Sequence, residues 1–245
     1  MKVLILAGGY GTRLYSLVRD TPKALLKVKG RPLVDYILDK AAPLKEVSEV
    51  ILVTNDKFYS TFQEWGMGKT YPHPICIMND GTKTPEQRLG SIGDIDFVLR
   101  ERMIDEDLLV VGGDNLFDGG LDGYIDFAKN KSPSVSIGVY DIRDLPEAKK
   151  FGVVGLDDQK KVNSFEEKPQ HPKSTMIAMC FYYFPQKSLG LIAKYLVESG
   201  TSDTSGDYIR WLYTKNNVYG FQFTGKWYDV GSVETYRQAQ KEFPG

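Results

Sequence analysis

The feature that most constrains this chain is a short apolar run near the amino terminus that leads directly into a glycine-rich turn. Leu4-Ile5-Leu6-Ala7 is followed by Gly8-Gly9-Tyr10-Gly11-Thr12-Arg13, and Lys23 comes after Pro22. A buried strand that opens into such a turn brings backbone N–H groups close to an anion. Arg13 and Lys23 carry charges that neutralise phosphate. The sequence therefore predicts a phosphate-binding loop at the end of the first strand.

Two well-known phosphate-binding loops do not fit this turn. In a dinucleotide-binding fingerprint counted from Gly9 and Gly11, Leu14 stands where the third glycine is required. A Walker A loop needs Gly-Lys-Ser/Thr after the strand, whereas Gly68-Lys69-Thr70 lies in a loop with no strand before it. The remaining alternative is an ordinary turn between a strand and a helix, but three glycines and an arginine exceed what such a turn needs.

Composition limits the classes of protein to consider. The 245 residues, with 31 basic and 32 acidic side chains, suit a single domain over residues 1–245 and give no basic face for nucleic acid. No apolar run is long enough for a membrane span, and the start lacks the pattern of a signal peptide. Cys76 and Cys180 lack metal-type spacing. We expect a cytoplasmic protein that binds neither nucleic acid nor a membrane, with homo-oligomer formation left open.

Strand-like runs alternate with segments of helical periodicity, which predicts an α/β fold with a mostly parallel sheet. Helical spacing occurs at 33–44, 92–102 and 121–128, and further helices are predicted at Ser188–Glu198, Asp207–Thr214 and Val233–Lys241. The predicted strands are Val3–Leu6, Val50–Thr54, Cys76–Met78, Leu108–Val111, Val135–Tyr140, Phe151–Leu156, Val162–Glu166, Met176–Phe184 and Val218–Phe223. The β-rich second half is expected to form one side of the same domain. Ligands of open α/β sheets bind beyond the carboxyl ends of the strands, where Arg13 and Asp114 are expected.

Two carboxylates are candidate metal ligands. Asp114 follows an apolar run and two glycines, and Asp229 lies between a late strand and the last predicted helix. Together they suit Mg²⁺, which takes one or two carboxylates and completes its shell with phosphate and water. A turn aspartate and a helix-capping residue are the respective alternatives. A third segment, Glu166-Glu167-Lys168-Pro169, offers a cation for phosphate and acceptors for sugar hydroxyls, although such a run is also typical of a solvated edge.

The order of these motifs resembles that of the sugar nucleotidyltransferases, and most of all the glucose-1-phosphate thymidylyltransferases and related NDP-sugar pyrophosphorylases. The resemblance extends from residue 1 to about residue 240 and implies a three-layer Rossmann-like fold with a mixed, mostly parallel central sheet and a small β-rich sugar-binding part. The motifs are Gly8-Gly9-x-Gly11-Thr12-Arg13, Pro22-Lys23, Gly113-Asp114-Asn115, Glu166-Glu167-Lys168-Pro169 and Trp227-x-Asp229-x-Gly231.

The resemblance also implies a reaction and a role for each residue. An oxygen of a sugar 1-phosphate attacks the α-phosphorus of an NTP, and pyrophosphate leaves without a covalent intermediate. Arg13 and Lys23 hold the leaving phosphates, and Lys168 orients the sugar phosphate. Gly152, Glu167 and Lys168 bind the sugar phosphate, while Asp114 and Asp229 hold Mg²⁺. The residues implied in nucleotide binding are Leu6, Ala7, Gly8, Gly9, Gly11, Thr12, Gly90 and Asp114.

Departures from the family pattern leave the substrates open. Leu89-Gly90-Ser91-Ile92-Gly93-Asp94 places Gly93 where thymidylyltransferases of the best-known type carry Gln, which is closer to the guanylyltransferase pattern. Glucose 1-phosphate with dTTP or UTP is the first expectation, and mannose or heptose 1-phosphate with GTP is the alternative. A glycosyltransferase using Asp94-Ile95-Asp96 as its metal motif would need a buried strand before it, but the surroundings predict a helix. A sugar-nucleotide sensor would not need the full set of charges.

Overall fold

The computed structural model describes residues 1–11, 14, 20–201 and 204–244. In this part of the chain the strands are β1 (Lys2–Leu6), β2 (Lys27–Val28), β3 (Arg31–Pro32), β4 (Glu49–Thr54), β5 (Ile75–Asn79), β6 (Leu108–Gly112), β7 (Asn115–Phe117), β8 (Val135–Asp141), β9 (Gly152–Leu156), β10 (Val162–Glu167), β11 (Met176–Phe184), β12 (Val218–Phe223) and β13 (Trp227–Asp229). The helices are α1 (Leu33–Ala41), α2 (Asp56–Gly66), α3 (Gly90–Glu101), α4 (Asp122–Asn130), α5 (Leu145–Ala148), α6 (Gly190–Ser199), α7 (Ser205–Lys215) and α8 (Val233–Glu242).

A nine-stranded mixed sheet forms the centre of the described part of the molecule. One half is parallel, with β1 between β4 and β6 and with β5 beyond β4. The other half is organised by β11, which runs antiparallel to β6, β8 and β9, while β12 pairs parallel with β8. All nine strands predicted from the sequence belong to this sheet, so the α/β class and the mixed central sheet are confirmed.

Helices cover both faces of the sheet because successive strand residues point to opposite sides. On one face, α1, α2 and α4 pack against strand residues such as Val3 and Leu52. On the other, α3, α6 and α7 pack against residues such as Leu4 and Ile51. The parallel strands β1, β4 and β6 are buried on both faces, which explains why they are continuous apolar runs in the sequence. The three layers confirm the Rossmann-like architecture.

A smaller apolar cluster attaches the last helix to the body of the protein. Ala239 and Phe243 at the carboxyl-terminal end pack with Val28, Tyr36 and Tyr228. The two-stranded sheet of β7 and β13 adjoins this cluster and brings residue 229 opposite residue 115. Strand β13 is thereby fixed beside the end of β6, where the predicted site residue Asp114 lies.

Several elements were not predicted. Helix α2 starts directly after β4, where Asn55 caps it by accepting a hydrogen bond from the Phe58 N–H at 3.1 Å. Strands β7 and β13 have three residues each and are recognisable mainly from their mutual pairing. Among the described residues, no helix has both the length and the apolar character needed to cross a membrane.

Candidate active site

The glycine-rich loop lies at the carboxyl end of β1 and is held by the neighbouring strand β4. The Ala7 N–H donates to the Val53 carbonyl at 2.9 Å, and the Asn55 side-chain amide donates to the Gly8 carbonyl at 2.9 Å. Gly11 has φ +66°, a conformation that favours glycine. The loop backbone is therefore fixed in place by residues outside it. This preorganisation suits a segment that binds phosphate through its N–H groups.

The predicted roles of Thr12 and Arg13 fall on residues that lie outside the described part of the chain. The other predicted nucleotide-binding residues are described. Leu6, Gly8, Gly9, Gly90 and Asp114 line one cleft of about 240 Å³, and Ala7 lines a recess of about 50 Å³ beside Gly9 and Lys23. Gly11 is adjacent in sequence but is not among the residues that line these clefts.

Asp114 is placed by tight backbone packing after β6. The Gly113 N–H donates to the Leu6 carbonyl at 2.9 Å, and a Cβ on Gly113 would meet that same oxygen at 2.9 Å. The Asp114 carbonyl accepts from the Val230 N–H at 2.9 Å. Both glycines before Asp114 have a physical reason: a side chain at residue 113 would press on the first strand, and a Cβ on Gly112 would lie 2.6 Å from the Asn115 amide nitrogen. The carboxylate projects into the cleft, where it meets the Lys23 ammonium at 3.2 Å.

Asp229 reaches the same cleft from the far end of the sequence. In the pairing of β13 with β7, Asp229 lies opposite Asn115, and the Trp227 indole N–H donates to the Asn115 side-chain oxygen at 2.8 Å. Both carboxylates act on the Cys180 thiol, which lines the same cleft: burial raises the pKa of Cys180 to about 12, and the charges of Asp114 and Asp229 contribute. Asp114 and Asp229 are thus brought together, as the sequence predicted. Cys180 stays protonated near neutral pH and is not a nucleophile.

The donor set fits a magnesium ion that is shared with a phosphate. Among the residues that the structure describes, no three His, Cys, Asp or Glu side chains converge to form a complete protein metal site. Two carboxylates on one cleft are what Mg²⁺ takes when phosphate and water supply its other ligands. The Lys23 ammonium already places a positive charge against Asp114. The two carboxylates therefore have the donor chemistry that such an ion requires, and their role as metal ligands stays a prediction.

The predicted sugar-phosphate residues lie on the hairpin of β9 and β10. Glu167 pairs with Gly152 across the two strands, and a Cβ on Gly152 would come within 2.4 Å of the Phe165 ring. The Lys168 N–H donates to the Phe151 carbonyl at 3.0 Å, and its ammonium lies 3.4 Å from Glu167. These contacts direct both charged side chains into the cleft. Burial raises the pKa of Glu167, an effect that the positive charge of Lys168 opposes.

Helix α7 closes this end of the cleft in a way that the sequence did not suggest. A Cβ on Gly206, in the first turn of α7, would lie 1.8 Å from Glu167 Oε2. Only a glycine at this position leaves room for the carboxylate. The sugar side thus combines Glu167 and Lys168 with the start of a helix about 40 residues further along the chain.

Together these residues form a cleft of about 400 Å³ that adjoins the glycine-lined one. The two clefts share Ser91, Asp114 and Cys180. The residues that line the larger cleft are Lys23, Ser91, Asp114, Asn115, Lys150, Phe151, Gly152, Phe165, Glu167, Lys168, Ala178, Cys180, Tyr182, Thr204, Ser205, Gly206, Trp227 and Asp229. All predicted catalytic, sugar-phosphate and metal residues in the described part of the chain are among them.

Sequence reasoning assigned no site role to several residues of these clefts. Asp80 lines the glycine-lined cleft, and Lys150 adds a cation to the larger one. Asp94, which the sequence offered only at the end of the Leu89–Asp94 segment and in the alternative Asp94-Ile95-Asp96 motif, also lines the glycine-lined cleft. The sequence did contain one signal for a site role of Asp80: this residue directly follows β5 and so lies at the same edge of the sheet as Asp114. Asp94-Ile95-Asp96 lies in helix α3 and not after a strand, which confirms the predicted helix.

Comparison with known proteins agrees with this architecture. A Bacillus anthracis protein assigned as a glucose-1-phosphate thymidylyltransferase, solved with sucrose, superposes with a TM-score of 0.82 at 22% identity, over 98% of this chain and 94% of the other. A UDP-glucose pyrophosphorylase solved with UDP-glucose gives a TM-score of 0.81 at 20% identity, over 99% and 97%. At this level of identity the two structures establish the shared fold. The family model described as nucleotidyl transferase matches residues 2–244, and the chain therefore belongs to the nucleotidyl transferase family of enzymes.

Proposed function

We propose that this enzyme transfers a nucleotidyl group from an NTP to a sugar 1-phosphate in a Mg²⁺-dependent reaction, with glucose 1-phosphate and dTTP or UTP as its substrates. The observation that carries the proposal is the meeting of two clefts at Asp114. One cleft has a glycine-lined wall suited to a nucleotide, and the other holds Lys168 and Glu167. The two fold relatives, a thymidylyltransferase and a UDP-glucose pyrophosphorylase, support the choice of base and sugar.

The reaction requires positioning and neutralisation of charge. An oxygen of the sugar 1-phosphate forms a bond to the α-phosphorus while the bond from that phosphorus to the β-phosphate oxygen breaks, so pyrophosphate leaves. Holding both substrates in line converts this encounter into an intramolecular step. No protein nucleophile is needed, and the buried thiol of Cys180 is unsuited to serve as one because burial raises its pKa.

Two lysines of the described part of the chain, Lys23 and Lys168, line the larger cleft and are assigned to the two phosphate groups of the reaction. Lys23, beside Asp114, neutralises the phosphates that leave, and Lys168 orients the phosphate of the sugar. Glu167 and the backbone at Gly152 bind sugar hydroxyls. Arg13 is proposed to hold the leaving pyrophosphate together with the Gly8–Gly11 loop and Thr12. The cations proposed for the pyrophosphate act where negative charge grows in the transition state, while Lys168 positions the attacking phosphate.

Asp114 and Asp229 are the proposed magnesium ligands. When bound, Mg²⁺ supplies positive charge that neutralises phosphate oxygens and favours departure of pyrophosphate. The contribution of the chain is to hold two carboxylates on one cleft and to keep Lys23 against one of them.

A second pair of substrates, GTP with mannose or heptose 1-phosphate, is favoured by the glycines of the nucleotide cleft. Gly8, Gly9, Gly90 and Gly112 leave a base-binding wall with little side-chain bulk. Gly90 has φ +78°, a conformation that favours glycine. Such a wall leaves more room for a purine base than a wall that carried a side-chain amide at the same position.

The sheet that joins the two clefts supports the proposal that residues 1–245 act as one catalytic domain. A cytoplasmic location, where NTPs are available, follows as part of the same proposal.

The test is release of pyrophosphate by the purified protein with Mg²⁺, five NTPs and three sugar 1-phosphates (glucose, mannose and heptose). At least one pair is expected to release pyrophosphate and form the corresponding NDP-sugar in equal amounts. Folded protein that is silent with every pair would contradict the proposal. Highest turnover with GTP would select the second pair of substrates.

A further inference from the structure

The larger cleft contains a lysine that the proposed reaction does not use. Lys150 lines this cleft together with Lys23 and Lys168, and it stands directly before the Phe151-Gly152 segment on the sugar side. The side chain of Lys150 is 67% exposed, so its ammonium is not enclosed by the protein. A substrate that enters the sugar side can therefore reach this cation.

The pairing of β9 with β10 brings Lys150 close to Lys168. Glu167 lies opposite Gly152 in this antiparallel pair, and the Lys168 N–H donates to the Phe151 carbonyl at 3.0 Å. Because Phe151 immediately follows Lys150, the two lysines come from facing chains at the open end of the hairpin. Both of them line the larger cleft.

The two lysines differ in where their partner carboxylates lie. Lys168 Nζ lies 3.4 Å from Glu167 Oε1, and both residues line the larger cleft, so their charges offset each other within it. Lys150 Nζ lies 2.6 Å from Glu147 Oε1, and Glu147 lines a neighbouring cleft of about 540 Å³. An ammonium has three N–H donors, so this ion pair orients Lys150 and leaves donors for a ligand. Lys150 therefore gives the sugar side a positive charge that the Lys168–Glu167 pair alone does not supply.

A sugar 1-phosphate needs this additional charge. Its phosphate group carries nearly two negative charges at neutral pH. Beside a lysine and a glutamate whose charges cancel, such a group would gain little electrostatic attraction. A second ammonium on the same cleft compensates the remaining charge and adds charge-assisted hydrogen bonds.

We propose that Lys150 binds the phosphate of the sugar 1-phosphate together with Lys168 and so sets the affinity of the enzyme for this substrate. The inference rests on the proposed function because it requires the sugar 1-phosphate to occupy the larger cleft. The attacking phosphate gains no negative charge when its oxygen bonds to the α-phosphorus. Lys150 therefore binds the ground state at least as well as the transition state, and its loss should raise KM rather than lower kcat.

The first experiment is steady-state kinetics with the preferred pair of substrates. Lys150→Met removes the charge and is expected to raise KM for the sugar 1-phosphate roughly tenfold or more. The kcat and KM for the NTP are expected to stay within about twofold of wild type. Lys150→Arg keeps a cation that suits phosphate and should retain most of the affinity. The matched control is Lys149→Met, because Lys149 is the exposed neighbour of Lys150 and is not among the described residues that line either cleft. An equal KM for the sugar 1-phosphate in Lys150→Met and Lys149→Met overturns the inference.

The second experiment distinguishes the phosphate from the sugar hydroxyls. Lys150→Gln keeps N–H donors without the charge. If Lys150 binds phosphate, this variant raises KM for the sugar 1-phosphate as much as Lys150→Met does, and its KM increases less steeply with ionic strength than that of wild type. Wild-type affinity in Lys150→Gln would mean that Lys150 contacts hydroxyls, and it overturns the inference. A change in KM for the NTP alone overturns it as well, since Lys150 would then act on the nucleotide.

Binding measurements separate this inference from the proposed function. The three sugar 1-phosphates are titrated against the full chain by calorimetry, with Mg²⁺ and the α,β-methylene analogues of the NTPs. Binding that depends on Lys150, without release of pyrophosphate from any NTP, would contradict only the proposed reaction. Release of pyrophosphate with a KM for the sugar 1-phosphate that Lys150→Met leaves unchanged would contradict only the inference. Absence of both binding and release would contradict both.

Discussion

The nucleotide and sugar sides of the cleft are built in different ways. The nucleotide side follows parallel strands β1, β4, β5 and β6, and its wall includes four glycines, with the loop backbone held by strand carbonyls and by Asn55. The sugar side follows antiparallel strands, and its wall is made of charged and aromatic side chains. On the nucleotide side, binding depends on how closely the ligand can approach the backbone. On the sugar side, binding depends on how the long side chains are positioned. Substitutions on the two sides should therefore affect different kinetic constants.

The junction between the two sides should be the most sensitive place. Asp114→Asn and Asp229→Asn each remove a charge from the proposed metal site, and each is expected to lower kcat by roughly two orders of magnitude or more. Steady-state kinetics at saturating Mg²⁺ measure the effect. Asp39→Asn, which alters an exposed ion pair with Arg31, is the control for loss of a surface carboxylate. Near-normal turnover in either variant would remove that residue from the set of metal ligands.

The sugar side can be disturbed through a single methyl group. Gly206→Ala places a Cβ against Glu167 and should displace its carboxylate from the cleft. We expect kcat/KM for the sugar 1-phosphate to fall roughly tenfold or more, with a smaller effect on KM for the NTP. Gly190→Ala is the matched control, because Gly190 also begins a helix and a Cβ there meets no atom within 4 Å. Equal effects of the two substitutions would show that the Glu167 contact does not matter.

Gly8→Ala should affect the nucleotide side and leave the sugar side largely unchanged. The added methyl group would meet the short, buried side chain of Asp94, which has little room to move. We expect KM for the NTP to rise several-fold to about tenfold, while KM for the sugar 1-phosphate stays near the wild-type value. If KM for the sugar 1-phosphate changed instead, the two sides would not be independent.

The distinction between local patterns and contacts of distant segments explains what the sequence could predict. A continuous stretch of sequence is enough to recognise a parallel strand that is buried on both faces, or a loop whose backbone conformation requires glycine. Leu4–Gly11 and Leu108–Asp114 are such stretches. Gly206 beside Glu167 and the Asp80–Asp94 hydrogen bond are contacts between distant segments, which no local pattern encodes. Helix α2 was missed because its start, Asn55-Asp56, also fits a turn at the end of a strand.

A separate expected effect on the nucleotide side is a pH dependence of stability. The pKa of Asp94 rises from 3.8 to about 8 on folding, so the folded protein holds this proton more tightly than the unfolded chain does. The contribution of Asp94 to stability is therefore greatest below pH 4 and declines as the pH rises toward 8. Asp94→Asn lacks this term, and its Tm relative to wild type should increase steadily from pH 5 to pH 8. Parallel Tm profiles for the two proteins would show that Asp94 does not titrate in this way.

The central claim is that the two clefts hold both substrates for direct transfer at the junction near Asp114. Its most direct test is the stereochemical course at the α-phosphorus, followed by ³¹P NMR with the preferred NTP carrying a chiral α-phosphorothioate. A single in-line displacement by the sugar phosphate predicts complete inversion of configuration. Retention would mean that the nucleotidyl group is first transferred to the protein, and it would contradict the account.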